Sequence, residues 1–196
     1  HYYQQTGDPY AGSTNPMSAG NGCIMRLAPI SMFFYTDLDA IEQYAAESSR
    51  TTHGAQECVD ACRLFGRIIC RALLGRPKDE AVFGDYGRFR GAPRIVAIAQ
   101  GAWLGKDEAE IHGSGYVVDS LEAALWCFMH TETFEDAILR AANLGDDADT
   151  TAAVCGQLAG AYYGESAIPS SWLERLTMRR EITRLADRLA MRYEAV

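Results

Sequence analysis

Residues 143–164 read NLGDDADTTAAVCGQLAGAYYG, and this run limits the possible folds more than any other part of the chain. Its second half is Ala, Gly, Cys and a few larger apolar residues. Such a segment forms a helix readily, and its small side chains let another helix approach closely, so it predicts a helix buried among helices. Its first half sets two carboxylates and a hydroxyl, Asp147, Asp149 and Thr150, at the entrance of that helix. Hard oxygen donors at that density suit Mg²⁺, Mn²⁺ or Ca²⁺ better than zinc. A single acid there would only cap the helix, accepting backbone N–H groups and offsetting the dipole. Acids at Asp146, Asp147 and Asp149 together repel one another unless a cation or solvent screens them. Both a cap and a metal site are open on the pattern alone.

The remainder of the sequence also has helical periodicity. Asp37 is placed to cap a helix with Leu38, Ile41, Tyr44, Ala45 and Ser48 at helical spacing, ending near His53-Gly54. A second helix is predicted over 55–74, with Val59, Cys62, Phe65, Ile69 and Leu73 on one stripe and Gly75-Arg76-Pro77 as its stop. Residues 84–91 read as a Gly- and Arg-rich loop, and 94–103 as a short helix. Asp119 with Glu122 resembles a capping box opening a helix over 120–130, and Thr133 with Asp136 repeats the device before 134–143. Gly145 sits where a helix C-terminal glycine belongs. Residues 170–194 predict one amphipathic helix, and residues 1–16 a loop. No stretch alternates as a strand between hairpin turns. The expectation is an all-α fold, a compact many-helix single domain spanning 1–196.

At 196 residues, 48% of them apolar, the chain can bury a core of ordinary domain size. Its formal charge of −8, with no basic stripe interleaved with aromatics, argues against nucleic acid as a partner. No apolar run reaches membrane-spanning length and no leader precedes the first residues, so the expectation is a cytoplasmic protein without a membrane partner. The six cysteines lie singly in apolar segments. Cys58 and Cys62 would share a helix face, but a zinc site there lacks two ligands, and the thiols are read as buried. The absence of an initiator Met suggests the remainder of a longer protein.

Three further polar segments punctuated by glycine have the composition of ligand loops. In the first, Ser18-Ala19-Gly20-Asn21-Gly22, the glycines let backbone N–H groups approach a phosphate, and the Asn21 amide can face a sugar or base. Gly-Asn-Gly is also ordinary turn chemistry. The second, Thr52-His53-Gly54, ends a helix, where a histidine either bonds its own helix's last carbonyls or faces a ligand. The third, Gly113-Ser114-Gly115-Tyr116, precedes a helix and can hold an anion while Tyr116 packs on a ring, or is a linker with Tyr116 in the core.

Taken together these segments resemble the ADP-ribosylglycohydrolase family. The resemblance is carried by Gly20-Asn21-Gly22 with Met25-Arg26 and Pro29, by Thr52-His53-Gly54, by Gly113-Ser114-Gly115-Tyr116-Val117 with Leu121-Glu122-Ala123-Ala124, and by residues 143–164. They occur in family order, over about residues 12–176. The resemblance implies an all-α fold holding a pair of Mg²⁺ (or Mn²⁺) ions and hydrolysing the glycosidic bond between ADP-ribose and a protein side chain, arginine above all. It places Asp147, Asp149 and Thr150 on the C-terminal metal ligands. It also places Ser18, Gly20, Asn21 and Gly22 on the phosphate- and ribose-contacting loop, His53 in the ligand pocket, and Ser114, Gly115 and Tyr116 beside the nucleotide.

One departure stands out. The family's upstream Thr-Asp-Asp motif, which completes the metal shell, and its loop glutamate near the scissile bond have no match in residues 1–35. The catalytic group and the remaining ligands are therefore expected from an upstream segment, itself a possible partner of this chain. The alternatives are a non-catalytic binder of ADP-ribose or a related nucleotide, and a structural use of the scaffold.

Overall fold

In the computed structural model, which describes residues 2–191, every regular element is helical, and extended pairing is confined to two isolated bridges. The helices are α1 (Tyr2–Thr6), α2 (Ala28–Phe33), α3 (Leu38–Arg50), α4 (Gln56–Leu73), α5 (Lys78–Phe83), α6 (Pro93–Ala99), α7 (Val117–Met129), α8 (Phe134–Asn143), α9 (Ala148–Tyr163), α10 (Ser170–Arg175) and α11 (Arg179–Met191). Short 3₁₀ turns at Pro16–Ser18, Asn21–Arg26, Glu108–Glu110 and Glu165–Ala167 join them.

The core is a central layer of α4, α7 and α9, with α3 against α4 and α8 against α9. The predicted stripe of α4 is buried except at Leu73, which is half-buried, and so is most of its remaining surface from Cys58 to Ala72. Gly66 explains how closely α3 lies: a Cβ there would come within 3.0 Å of Ile41 Cγ2. The small-residue run of α9 acts as its composition implied. A Cβ on Gly156 would sit 3.3 Å from Ile138 of α8, and the Cys155 thiol lies 3.6 Å from Ala137 O.

Several boundaries match local chemistry. The Asp37 carboxylate accepts from the Ala40 amide at 2.9 Å, Thr133 Oγ1 accepts from the Asp136 amide at 3.0 Å, and Gly145 leaves α8 at φ +79°. Others require correction. The Asp119 box does not form: α7 starts earlier, at Val117, and Asp119 instead accepts from Ser114 Oγ at 2.7 Å. Asp107 and Glu110 make the reciprocal capping box. The amphipathic helix expected over 170–194 divides at Leu176, Thr177 and Met178, where Met178 has φ +59°, and its last residues lie outside the described part. The loop over 1–16 contains α1, and α5 and the Asn21–Arg26 turn have no counterpart in the periodicity.

Candidate active site

The acidic loop, the Gly-Asn-Gly turn and the Gly113–Tyr116 segment meet at the entrance of α9. Asn21 is buried, and its side-chain amide donates to Asp147 Oδ2 at 2.8 Å and to Ser114 O at 3.4 Å. The backbones are tied as well. Asn21 N–H donates to Gly115 O at 3.0 Å, Val117 N–H to Ala19 O at 3.0 Å, and Asp147 N–H to Gly113 O at 2.8 Å. Three loops far apart in sequence are thus fixed by hydrogen bonds that a disordered alternative would have to surrender to water.

Asp147 occupies the N-cap position of α9 without capping it by its side chain. The hydrogen bond from Asn21, followed by that from Thr150, holds its carboxyl below the usual carboxylate range, so it is charged at neutral pH. Thr150 is buried beside it. Asp149 differs: it is exposed, and its Oδ1 accepts from the Thr150 amide at 2.9 Å. The structure therefore joins Asp147 to Asn21 and keeps Asp149 and Thr150 next to it, while no hydrogen bond links Asp149 to Asn21 or His53 among the described residues. Beneath them, Gly113 packs tightly on α9: a Cβ would fall 2.8 Å from Thr151 Oγ1, so a side chain there would displace the threonine.

His53 reaches the same region by another route. Its amide donates to Ser49 O at 2.7 Å, closing α3, while its ring lies over the Gly-Asn-Gly turn. A Cβ on Gly22 would come within 3.0 Å of His53 Cε1, and one on Gly20 within 3.5 Å of Nε2. Ring Nδ1 pairs with Thr52 Oγ1 at 2.8 Å. Arg26 stitches the turn to the end of α3, donating to Ser48 O at 2.9 Å and to Thr52 Oγ1 at 2.8 Å. The glycines thus make room for an imidazole. Of the two glycine amides expected to approach a phosphate, that of Gly20 is taken by Ser18 O at 2.8 Å, and the Asn21 side-chain amide expected to face a sugar or base is held by Asp147. The amides of Ser114 and Gly115 make no such bond among the described residues, so this third loop retains donors for an anion.

Buried thiols form the floor. Cys58 Sγ lies 3.4 Å from Gly20 O, and Cys23 Sγ 3.8 Å. The neighbouring Cys23 sulfur and burial push the Cys58 thiol up, so it keeps its proton as a donor to that carbonyl. All six cysteines are free and buried.

A cavity of about 760 Å³ opens beside the turn, lined by Met17, Ser18, Gly20, Gly115 and Tyr116, and also by Glu57 and Arg94. Periodicity did not single out the last two. Glu57 reads as an ordinary acid in the first turn of α4 and Arg94 as a solvated charge after Pro93; only their convergence on Tyr116 marks them. Tyr116 is neither a core plug nor a free ring. It donates to Glu57 and accepts from Arg94 at 3.2 Å, and burial, followed by the Glu57 hydrogen bond, pushes its hydroxyl up to about 12.

The donors at the α9 entrance suit a hard divalent cation in kind: ionised Asp147, exposed Asp149 and the Thr150 hydroxyl. They form part of a shell only. Among the described residues no group of three or more His, Cys, Asp or Glu side chains converges to hold an ion.

This fold and this meeting of loops define a class. The ADP-ribosylglycohydrolase family model matches residues 2–196, and the chain belongs to that family. It is 43% identical over 92% of its length to the ADP-ribosylarginine hydrolase Tri1 of Pseudomonas putida (strain GB-1), covering 48% of that protein. It is 41% identical over 95% of its length to Tri1 of Serratia proteamaculans (strain 568), covering 50% of it. Against the ADP-ribosyl-[dinitrogen reductase] glycohydrolase of Rhodospirillum rubrum the identity is 34% over 87% of this chain and 56% of the relative. A solved structure described as an ADP-ribosylglycohydrolase-related protein complex superposes with a TM-score of 0.88 at 40% identity, over 97% of this chain and 65% of that one. The chain spans about half the length of the curated relatives it matches.

Proposed function

We propose that the polypeptide carrying this chain is a Mg²⁺-dependent hydrolase of the N-glycosidic bond between ADP-ribose and a protein arginine, reversing mono-ADP-ribosylation. The hydrogen bond from Asn21 to Asp147 carries this reading, because it sets a charged carboxylate, a candidate ribose-binding amide and the α9 entrance in one place. The Tri1 relatives, at 43% and 41% identity, bear the name of that activity.

In this reading Asp147, Asp149 and Thr150 hold one side of a pair of Mg²⁺ ions, with Mn²⁺ able to replace them. Such ions, when bound, lower the pKa of a water and steady charge as the bond opens. Asn21 orients Asp147 and restricts its freedom, so the carboxylate need not reorganise. The Ser114 and Gly115 amides take a phosphate oxygen, and Ser18, Gly20, Gly22, His53 and Tyr116 shape the surface on which the nucleotide lies. The charge of −8 makes backbone donors the natural means of holding a diphosphate here, and it favours a cationic arginine adduct. A cytoplasmic location accompanies the proposal, supported by six free thiols.

The test is an Asp149→Ala variant followed by Mg²⁺ calorimetry and release of ADP-ribose from a modified arginine protein. Removing a hard-cation ligand should abolish the binding heat and the release, whereas losing a cap costs about 1 kcal/mol and spares both. An unchanged titration would show that the metal lies elsewhere.

A further inference from the structure

The cavity beside Ser18 and Gly20 has a polar wall that the hydrolytic chemistry leaves unused. Glu57 comes from the first turn of α4, Arg94 from the first turn of α6, and Tyr116 from the residue before α7. The order of donation is fixed. Arg94 donates to Tyr116 Oη at 3.2 Å with its guanidinium over the ring, 5.7 Å from the centroid, and Tyr116 passes its one proton to Glu57 Oε2. Glu57 Oε1 and the outer N–H groups of Arg94 have no hydrogen-bond partner among the described residues. The wall therefore presents an acceptor beside donors in a cavity that Pro16, Met17 and Ala19 also line. That combination, an apolar face with a polar edge, is what a flat heterocycle requires.

Gly115 links this wall to the acidic loop. It lines the cavity, and a Cβ on it would lie 3.7 Å from Asp147 Oδ2. A nucleotide whose sugar end meets Asp147 therefore has this cavity within reach of its other end. We propose that Glu57 and Arg94 read the base: Glu57 Oε1 accepts from the exocyclic amino group of adenine, and Arg94 donates to a ring nitrogen, so the site selects adenine over hypoxanthine. The inference rests on the ADP-ribose reading above and extends it to the residues that choose the base. Hypoxanthine would set a carbonyl oxygen against the carboxylate, leaving two acceptors facing each other with no proton between them.

The probes are ADP-ribose and inosine diphosphate ribose, titrated by calorimetry into the intact protein and into Glu57→Gln. The unmodified protein should favour ADP-ribose by about tenfold or more, the order of affinity lost when one polar group is left unpaired. In Glu57→Gln the ratio should fall towards one, because the amide can turn its NH₂ to the hypoxanthine carbonyl while its oxygen still accepts from Tyr116. An unchanged thermal midpoint checks that the variant is folded. Arg94→Ala should weaken ADP-ribose binding. Equal affinities in the unmodified protein, or an unmoved ratio in a folded Glu57→Gln, would overturn base selection alone. Binding of neither nucleotide would overturn the ADP-ribose reading together with it.

Discussion

A Cβ on Gly12 would stand 2.4 Å from the His53 amide nitrogen and 2.7 Å from Arg50 O, and one on Gly54 would stand 2.5 Å from Gly12 O. These collisions are with backbone, which cannot swing aside as a side chain can, so the two segments fit only without side chains. The contact is what holds the His53 turn, through the Gly12 amide on Arg50 O at 2.9 Å and the Gly54 amide on Ser13 O at 2.9 Å. Gly12→Ala should therefore cost about 1–3 kcal/mol in urea unfolding, the usual scale of overpacking. It should also weaken ADP-ribose binding by about tenfold, because a displacement near 1 Å at a positioned ring is felt at the ligand. Full affinity in a destabilised Gly12→Ala protein would mean that His53 does not touch the nucleotide. Such positions also show what a sequence displays and what it hides. Asp147, Asn21 and His53 are legible because unusual residue types cluster within short loops. Glu57 and Arg94 are not, because each is unremarkable alone and their meaning arises from the meeting of α4, α6 and α7. The glycines were visible, but one consequence of their lacking side chains was not: Gly20 and Gly22 accommodate the His53 ring.

Along α4 the apolar stripe was readable at helical spacing, but the pairing of the face carrying Arg63, Arg67 and Arg71 was not, because three cations four residues apart take their acids from α4 itself and from other elements. Arg63 pairs with Glu42 and with buried Asp60 at 2.7 Å, Arg67 with Asp85 at 2.9 Å and Glu42 at 3.0 Å, and Arg71 with Asp85 at 2.9 Å. Burial pushes the Asp85 carboxyl up, but Arg67 and Arg71 outweigh it and hold the group below the usual range. With the folded value depressed, the stabilisation is present above the unfolded carboxylate pKa near 3.9 and is lost as pH falls through the lower folded value. Asp85→Ala should cost about 3 kcal/mol near neutrality, since it strands the Arg71 guanidinium in a partly buried site and leaves Arg67 with Glu42 alone. Chemical denaturation should show this gap narrowing at acid pH, where the unmodified carboxyl is also protonated. A gap independent of pH would assign the loss to packing. Local signals failed in a similar way at α7, where Asp119 had the spacing of a cap but found a better partner in the Ser114 hydroxyl. At the C-terminal end, helical periodicity continues through the break at Met178, because periodicity registers amphipathic faces and not the backbone angle of one residue.

At the scale of the whole molecule, the all-α architecture followed from the sequence because periodicity and small-residue packing act over many residues and average out local error. Completeness of the active site is a different matter, since it depends on how many oxygen donors can converge. Asp147, Asp149 and Thr150 are too few for a pair of ions that each take six or more ligands, and the matched relatives are about twice the length of this chain. If the remaining ligands belong to sequence outside residues 1–196, the chain alone should retain some affinity for ADP-ribose through its loops but turn over slowly. In the proposed reading binding draws on the Asn21 region and the cavity, whereas hydrolysis would also draw on the metal ions and a positioned water. Losing that placement removes at least about two orders of magnitude in rate. The comparison to make is release of ADP-ribose from a modified arginine protein by the 196-residue chain and by the Serratia proteamaculans relative, each with Mg²⁺ and with a chelator. We expect the relative to be fast with Mg²⁺ and nearly silent with the chelator, and the chain to run at one-hundredth of its rate or less, on the order set by lost positioning. Equal, Mg²⁺-dependent rates would show that oxygen donors within residues 1–196 suffice, and the backbone carbonyls around Gly113 and Gly145 would then be the first to examine as ligands.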